Sequence, residues 1–343
     1  MKRHLNTLFV LTQGAYVAKE DETLVVKVGD EIRMKLPILT LQGVVCFGQI
    51  TMSPWAMALC SERGVLVSFL SEHGRFLARV VGPTTGNVLL RREQYRRSEQ
   101  ADQALGIARS IVAAKIANAR TVLLRALRDR PDSDSASDLT TSAARLAQHL
   151  GDCRSVSDLD ALRGLEGIAA RAYFESFDGL ISQQRESFRF EERSRRPPLN
   201  RVNALLSFVY TLLVHDLQGA VESVGLDPAV GFLHRDRPGR PSLALDLMEE
   251  LRPWFADRMV LSLINLRQID PDGFRTTESG AVLLTDEGRK VVLEAYQKRK
   301  QEELVHPFLE EKTTLGLVPQ LQAILLARYL RGDLDGYPPF IGK

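Results

Sequence analysis

The sequence predicts an α+β protein of two domains, a β-rich N-terminal domain over residues 1–90 and a large all-helical domain over 91–343. Three observations carry this reading. Up to about residue 90, short β-branched and aromatic runs alternate with glycines and acidic turns. From Arg91 onward the apolar residues recur at helical spacing instead. A chain of 343 residues is also long enough for two separate cores.

The strand candidates are Thr7–Thr12 (TLFVLT), Tyr16–Ala18, Thr23–Lys27 (TLVVK), Val44–Phe47 and Val65–Phe69. They are broken at Gly14, Lys19–Glu22, Gly29-Asp30, Gly43, Gly48 and Gly64, residues that favour turns. One helix interrupts them: Ser53 caps it, Pro54 takes its first position and Gly64 closes it. A break at Pro83–Gly86 ends the domain. A long helical stretch then covers 92–130 and stops at Pro131, where Pro131–Asp138 (PDSDSASD) reads as a solvated loop. Further helices are expected at 138–150, 156–177, 199–223, 242–265, 279–302 and 315–331, with breaks at Gly225–Pro228 and Arg237–Pro241. The charged segment Arg185–Pro198 has no clean period.

Bulk properties narrow the function. The chain is 44% hydrophobic and 26% charged, and no apolar run approaches the roughly 18 residues that span a bilayer, so no membrane role is expected. The start, MKRHLNTLFVLTQGAYVAKE, lacks a long apolar core and soon meets Lys19, Glu20, Asp21 and Glu22, unlike a signal peptide. Cys46, Cys60 and Cys153 are odd in number and scattered, which argues against a disulfide framework or a zinc–thiolate site and for a reducing cytoplasm. A formal charge of +2 means that a nucleic-acid binder would rely on local basic patches. No phosphate-binding glycine loop, nucleophile elbow or dinucleotide fingerprint stands in a suitable context.

The most informative segment is 231–252, GFLHRDRPGRPSLALDLMEELR. His234 precedes a Pro/Gly/Arg turn, which leads into a helix carrying Asp246, Glu249 and Glu250. Asp246 and Glu249 share one helical face and Glu250 flanks them. Such acids serve either as partners of a helix N-terminus or as metal ligands. A second carboxylate, Glu166, lies between Gly164 and Gly167 at the edge of an expected buried stripe, Leu165, Ile168, Ala169, Ala172 and Tyr173. The flanking glycines would admit another backbone or a nucleic-acid strand; alternatively they mark a tight helix crossing. Carboxylates with one imidazole suit Mg2+ or Mn2+ better than Zn2+.

Basic residues gather in three places. Arg91, Arg92, Arg96 and Arg97 surround Tyr95; Lys115, Arg120, Arg125, Arg128 and Arg130 lie on the long helix; Arg189, Arg193, Arg195 and Arg196 interleave with Phe188 and Phe190. Such patches fit phosphates and unstacked bases, or are solvated faces neutralised by acids such as Glu186, Glu191 and Glu192. His215, in LSFVYTLLVHDL, reads as a core or edge histidine, and Asn203, Ser207 and Tyr210 share one helical face.

At four ordered blocks the chain resembles a known family: GLEGIAARAYF (164–174), PPLNRVNALLSFVYTLL (197–213), GLDPAVGFLH (225–234) and RPSLALDLMEELRPWFADRMVLSLIN (240–265). The family is that of the universal CRISPR-associated integrase, the large protein of the spacer-acquisition complex, and the last two blocks look most like its type I-C branch. The resemblance implies an N-terminal β-sandwich-like domain, a helical metal-binding domain and a homodimer built through the N-domains. It further implies assembly with a small ferredoxin-like partner dimer. The family's metal ligands and catalytic residues fall on Glu166, His234 and Glu249, with Asp246 as a supporting acid. Glu249 stands where some members have aspartate, and Glu250 could compete with it.

The implied reaction is metal-dependent transesterification on double-stranded DNA, in which the 3′-hydroxyl of a prespacer attacks the leader-proximal CRISPR repeat. Arg91, Arg92, Lys115, Arg125 and Arg128 would track the DNA backbone. A metal-dependent, structure-selective endonuclease would use the same residues. A non-catalytic DNA-binding scaffold would keep the acids only as helix-end partners.

Overall fold

Alternation of apolar and polar residues folds the N-terminal segment into β1 (Asn6–Val10), β2 (Ala15–Glu20), β3 (Thr23–Val28), β4 (Glu31–Pro37), β5 (Leu41–Phe47), β6 (Thr51–Met52), α1 (Pro54–Glu62), β7 (Leu66–Leu70) and β8 (Phe76–Val80). The computed structural model describes residues 6–72, 76–82 and 88–342, so the break expected at Pro83–Gly86 lies outside the described residues. Two four-stranded sheets form, in the orders β1-β5-β7-β8 and β4-β3-β2-β6. Leu8, Val44, Cys46 and Val67 of the first meet Val17, Leu24 and Val26 of the second, and Ala56, Leu59 and Cys60 of α1 fill in between. This is the β-rich, sandwich-like arrangement, with one core shared by two sheets. Ser53 caps α1 as expected, its hydroxyl accepting the Ala56 N–H at 3.1 Å.

Three strands escaped the pattern reading, the two-residue β6 and the edge strands β4 and β8. In β4 every side chain but Leu36 is exposed, Ile32 and Met34 included, so no buried alternation marks it. β8 likewise exposes Phe76 and Leu77 at 50% each. Both are sheet edges, held by backbone pairing on one side only.

The helical unit contains α2 (Val88–Glu99), α3 (Ala101–Asp129), α4 (Ala136–Asp152), α5 (Leu159–Glu175), α6 (Arg201–Ser223), α7 (Ser242–Leu251) and α8 (Arg258–Asn265). It continues through β9 (Phe274–Thr276), β10 (Val282–Leu284), the first half of α9 (Asp286–Lys300), β11 (Glu303–Val305), β12 (Lys312–Thr314) and α10 (Val318–Arg331). The two antiparallel hairpins, β9–β10 and β11–β12, correct the expectation of an all-helical domain. Their three-residue strands are too short to carry a period.

Two expected helices are divided. The 92–130 stretch separates at Gln100 into α2 and α3. The 242–265 stretch contains a π-helical turn, Arg252–Asp257, between α7 and α8. Pro253 explains it: proline has no N–H to offer, and its ring crowds the carbonyl four residues back, so the helix widens. Among the described helices α6 is long and apolar enough to cross a membrane by length and composition, contrary to the run-length reading, but most of it is buried inside the helical unit.

Contacts divide the chain into two compact units, Met1–Gly86 with Leu293–Glu302, and Asn87–Val292 with Glu303–Lys343. The return of 293–302 to the β unit had no signal in the sequence. It rests on buried Tyr296 and Lys300, with Gln297 Nε2 donating to the Thr7 carbonyl at 3.0 Å and Lys300 Nζ reaching Thr7 Oγ1 at 3.4 Å.

Candidate metal centre

α7 is buried on nearly every side, so its acids must find partners inside the protein. Asp246 organises the chain ahead of it. Its carboxylate accepts the backbone N–H groups of Phe232 (2.6 Å), Leu233 (3.0 Å) and His234 (2.9 Å). His234 Nδ1 lies 2.6 Å from the same carboxylate. Asp246 accepts only, so Nδ1 donates to it and Nε2 is the ring nitrogen turned toward Glu249. The loop must come close for this: a Cβ at Gly231 would sit 2.7 Å from Asp246 Oδ2 and 3.0 Å from the Ser242 carbonyl carbon.

Two further residues, which the sequence reading missed, hold the loop from other elements. Fully buried Gln94 of α2 donates to the carbonyls of Asp227 and Val230, both at 2.8 Å, and accepts the Asp227 N–H at 2.9 Å. Arg163 of α5, one turn before Glu166, donates to the Leu233 carbonyl at 2.7 Å. A glutamine and an arginine in charged surroundings look like surface residues until the fold is known.

The structure brings Glu166, His234 and Glu249 to one place. His234 Nε2 is 3.9 Å from Glu249 Oε1, and Arg252 Nη1 is 2.9 Å from that same oxygen. Lys115 of α3 joins the two glutamates: its ammonium hydrogen-bonds Glu166 Oε1 and lies 2.6 Å from Glu249 Oε2. Burial alone would raise the Glu249 carboxyl, but Arg252, Lys115 and His234 outweigh it and hold the pKa at about 2. Glu249 is therefore ionised throughout the physiological range.

As the side chains stand, no group of three His, Cys, Asp or Glu among the described residues is arranged to hold an ion. The Lys115 ammonium lies between the two carboxylates instead. The donor set nonetheless fits Mg2+ or Mn2+: two carboxylates, one imidazole nitrogen, and a buried Glu249 Oε2 whose contact with Lys115 lacks hydrogen-bond geometry.

Glu250 points elsewhere. It accepts from the Tyr337 hydroxyl (2.6 Å), Gln322 Nε2 (2.9 Å) and the Phe340 N–H (2.7 Å), a network behind α7. Asn118 completes that network, donating to the carbonyls of Glu250 (2.7 Å) and Phe340 (2.9 Å) and accepting the Gly342 N–H (2.8 Å). Burial pushes the Glu250 carboxyl up to about 8. Its folded-state pKa lies above the unfolded value, so its contribution to stability is fully present below about 4.5 and is lost as pH rises through about 8. Glu250→Gln is expected to flatten the fall in stability between pH 5 and 8 by about 3 kcal/mol, read by urea denaturation across that range.

Glu166 is about a quarter exposed, at 26%. The buried stripe of α5 is Leu162, Ala169, Ala172 and Tyr173; Ile168, expected inside, is 54% exposed. Gly164 and Gly167 face open space, with nothing within 4 Å of a Cβ placed on either, which removes the tight-crossing explanation. A pocket opens beside Lys115 and Glu166, walled by Tyr173, Arg193, Tyr210, Arg252 and Asp257. Arg193 binds Asn203 Oδ1 (2.7 Å) and Ser207 Oγ (3.2 Å) and lies over the Tyr210 ring, so the three residues that share a face of α6 receive one guanidinium. The Tyr210 hydroxyl donates to Asp257 Oδ1 at 2.6 Å.

The basic patches come out unequally. Lys115 does not line a solvated helix face: it is 9% exposed and committed to two glutamates, which removes it from the expected DNA-tracking set. Arg125 and Arg128 are exposed and both near Asp129; Arg92 is exposed and Arg91 half-buried. Tyr95 donates to Asp227 at 2.9 Å. Phe188 and Phe190 are core residues, not stacking platforms, and Arg193 is largely inside.

Comparison with known proteins follows the same lines. The profile of the family described as CRISPR associated protein Cas1 matches residues 8–298. The "CRISPR-associated endonuclease Cas1 1" of Chlorobaculum tepidum is 53% identical over 343 residues, covering all of both chains. Among solved structures, a CAS1 protein from Thermotoga maritima superposes with a TM-score of 0.82 at 23% identity, over 98% of this chain and all of that one. A casposase bound to integration product gives 0.84 at 23% identity, over 98% and 94% of the two chains.

Proposed function

We propose that this chain, which belongs to the CRISPR-associated Cas1 family of endonucleases and integrases, joins prespacer 3′-hydroxyl ends to the leader-proximal repeat by metal-dependent transesterification. The observation that carries the reading is the convergence of Glu166, His234 and Glu249, from α5, the 231–234 loop and α7, around one small space. These three residues would hold Mg2+ or Mn2+. When bound, such an ion supplies charge stabilisation at the scissile phosphate and at the departing 3′-oxygen.

The remaining work falls to the chain itself. Asp246 fixes the ring of His234 through Nδ1 and so aims Nε2 at the space beside Glu249. Arg252 and Lys115 keep Glu249 ionised and aimed inward. Gly164 and Gly167 leave the approach to Glu166 clear for a strand. Arg91, Arg92, Arg125 and Arg128 track the duplex backbone, so binding weakens with salt and reads little sequence. No protein nucleophile is required, because positioning and electrostatics carry the rate.

The family resemblance supports a homodimer through the N-terminal domains, and the exposed Ile32, Met34, Phe76 and Leu77 on the two sheet edges give it an apolar surface. It also supports a small ferredoxin-like partner dimer and a place in the type I-C branch. Free, buried Cys46, Cys60 and Cys153 accord with the reducing cytoplasm.

The test is strand transfer into a supercoiled plasmid carrying a CRISPR repeat, with Mn2+ or Mg2+ and the partner protein present. Labelled duplexes with free or dideoxy-blocked 3′ ends are compared. Label joined only from free ends establishes integration. Nicking that is indifferent to the 3′ end favours the endonuclease reading.

A further inference from the structure

We propose that Lys115 is a resident counter-cation, which holds Glu166 and Glu249 together in the absence of metal and competes with the divalent ion for them. The inference rests on the metal reading above and concerns a residue that this reading does not use as a ligand. Three helices meet at its ammonium: α3 supplies Lys115, α5 supplies Glu166 and α7 supplies Glu249. Glu249 is 2% exposed and Lys115 9%, so neither charge is solvated well enough to stand alone. Without the lysine, two carboxylates from different helices would face each other across the space where the ion belongs. Arg252 makes its ion-pair contact with one of them, at Glu249 Oε1, and acts on Glu166 only through its field.

The ammonium and a divalent ion cannot share the site. Both need the oxygens of Glu166 and Glu249, and at contact distance their like charges repel strongly at the low effective dielectric of a buried site. Metal binding therefore requires the Lys115 side chain to leave. Lysine suits this: it is a compact charge on a flexible four-carbon stem, whereas an arginine fork would clamp the two carboxylates. The pocket beside it gives the four-carbon stem room to turn along a mostly apolar wall, and the arginines that also line it, Arg193 and Arg252, keep the displaced ammonium toward its open side. The site is thus held assembled before the ion arrives, at some expense in affinity for that ion.

Mn2+ titration by calorimetry and melting in EDTA, run on the full-length wild type, Lys115→Met, Lys115→Arg and His234→Ala, test this without reference to activity. Lys115→Met is expected to bind Mn2+ about tenfold more tightly than wild type, to melt lower in EDTA, and to gain more from added Mn2+. Lys115→Arg is expected to keep the wild-type melting point in EDTA and bind Mn2+ more weakly. Mn2+ affinity unchanged or weakened in Lys115→Met overturns the proposal. If Lys115→Met does not fold, Lys115→Arg decides it, because binding as tight as wild type there also overturns competition. Absence of His234-dependent Mn2+ binding from both wild type and Lys115→Met would remove the metal reading itself, and this proposal with it.

Discussion

Glu249→Gln is expected to lower DNA strand joining by about 1,000-fold or more, while Glu250→Gln leaves it within a few-fold of wild type. Neighbouring residues with the same side chain seldom differ so much, and the difference follows from which way each points. Glu249 lies 3.9 Å from His234 Nε2 and 2.6 Å from the Lys115 ammonium that joins it to Glu166. Its amide analogue keeps the shape and removes the charge that the surrounding Arg252, Lys115 and His234 hold ionised down to about pH 2. A loss of about 4 kcal/mol of transition-state stabilisation corresponds to that factor at 1.36 kcal/mol per decade. Glu250 instead binds Tyr337, Gln322 and the Phe340 N–H on the far side of α7. His234→Ala is expected to match Glu249→Gln. The check is the yield of labelled joint product from each purified variant, with circular dichroism confirming the fold. Retention of joining by Glu249→Gln with loss in Glu250→Gln would reverse the assignment.

How much of this was legible beforehand depends on the residue. The β-to-helix change was plain because it is a change of period, and the helix at Ser53-Pro54 because capping is local. β4 and β8 were hidden because an edge strand needs no buried face, and β9 to β12 because three residues carry no pattern. The ligand candidates were visible as residue types at suggestive spacing, yet the spacing could not separate Glu249 from Glu250; only the partners that each meets on its own side of α7 do that. Lys115 was misplaced for the opposite reason. In a helix rich in lysine and arginine it looks like one more solvated cation, and nothing local says that it turns inward toward acids from two other helices. Gln94 and Arg163 were missed in the same way, because their partners, the carbonyls of Val230 and Leu233, are distant in sequence.

The largest loss of stability is expected at Asp246, a residue that touches no ion in this reading. Its two oxygens receive four donors: Phe232 N–H and Leu233 N–H on Oδ2, His234 N–H and His234 Nδ1 on Oδ1. All four belong to one three-residue stretch, so the carboxylate fixes both the path of the loop and the orientation of the ring it carries. Asparagine is nearly isosteric, yet whichever side takes the amide nitrogen sets a donor against donors that are buried. Asp246→Asn is therefore expected to cost about 3 kcal/mol in urea denaturation, within the range for a buried charge-assisted network. Losing the partner that orients a metal-binding imidazole also predicts a roughly 10- to 100-fold weaker Mn2+ affinity. The two effects have separate readouts and one cause. Asp246→Glu offers the comparison, since it keeps the charge but pushes the longer arm against Gly231, where even a methyl would sit 2.7 Å from the present oxygen. Wild-type stability in Asp246→Asn would mean that Gln94 and Arg163 suffice to hold the loop, and that the aspartate serves only the histidine ring.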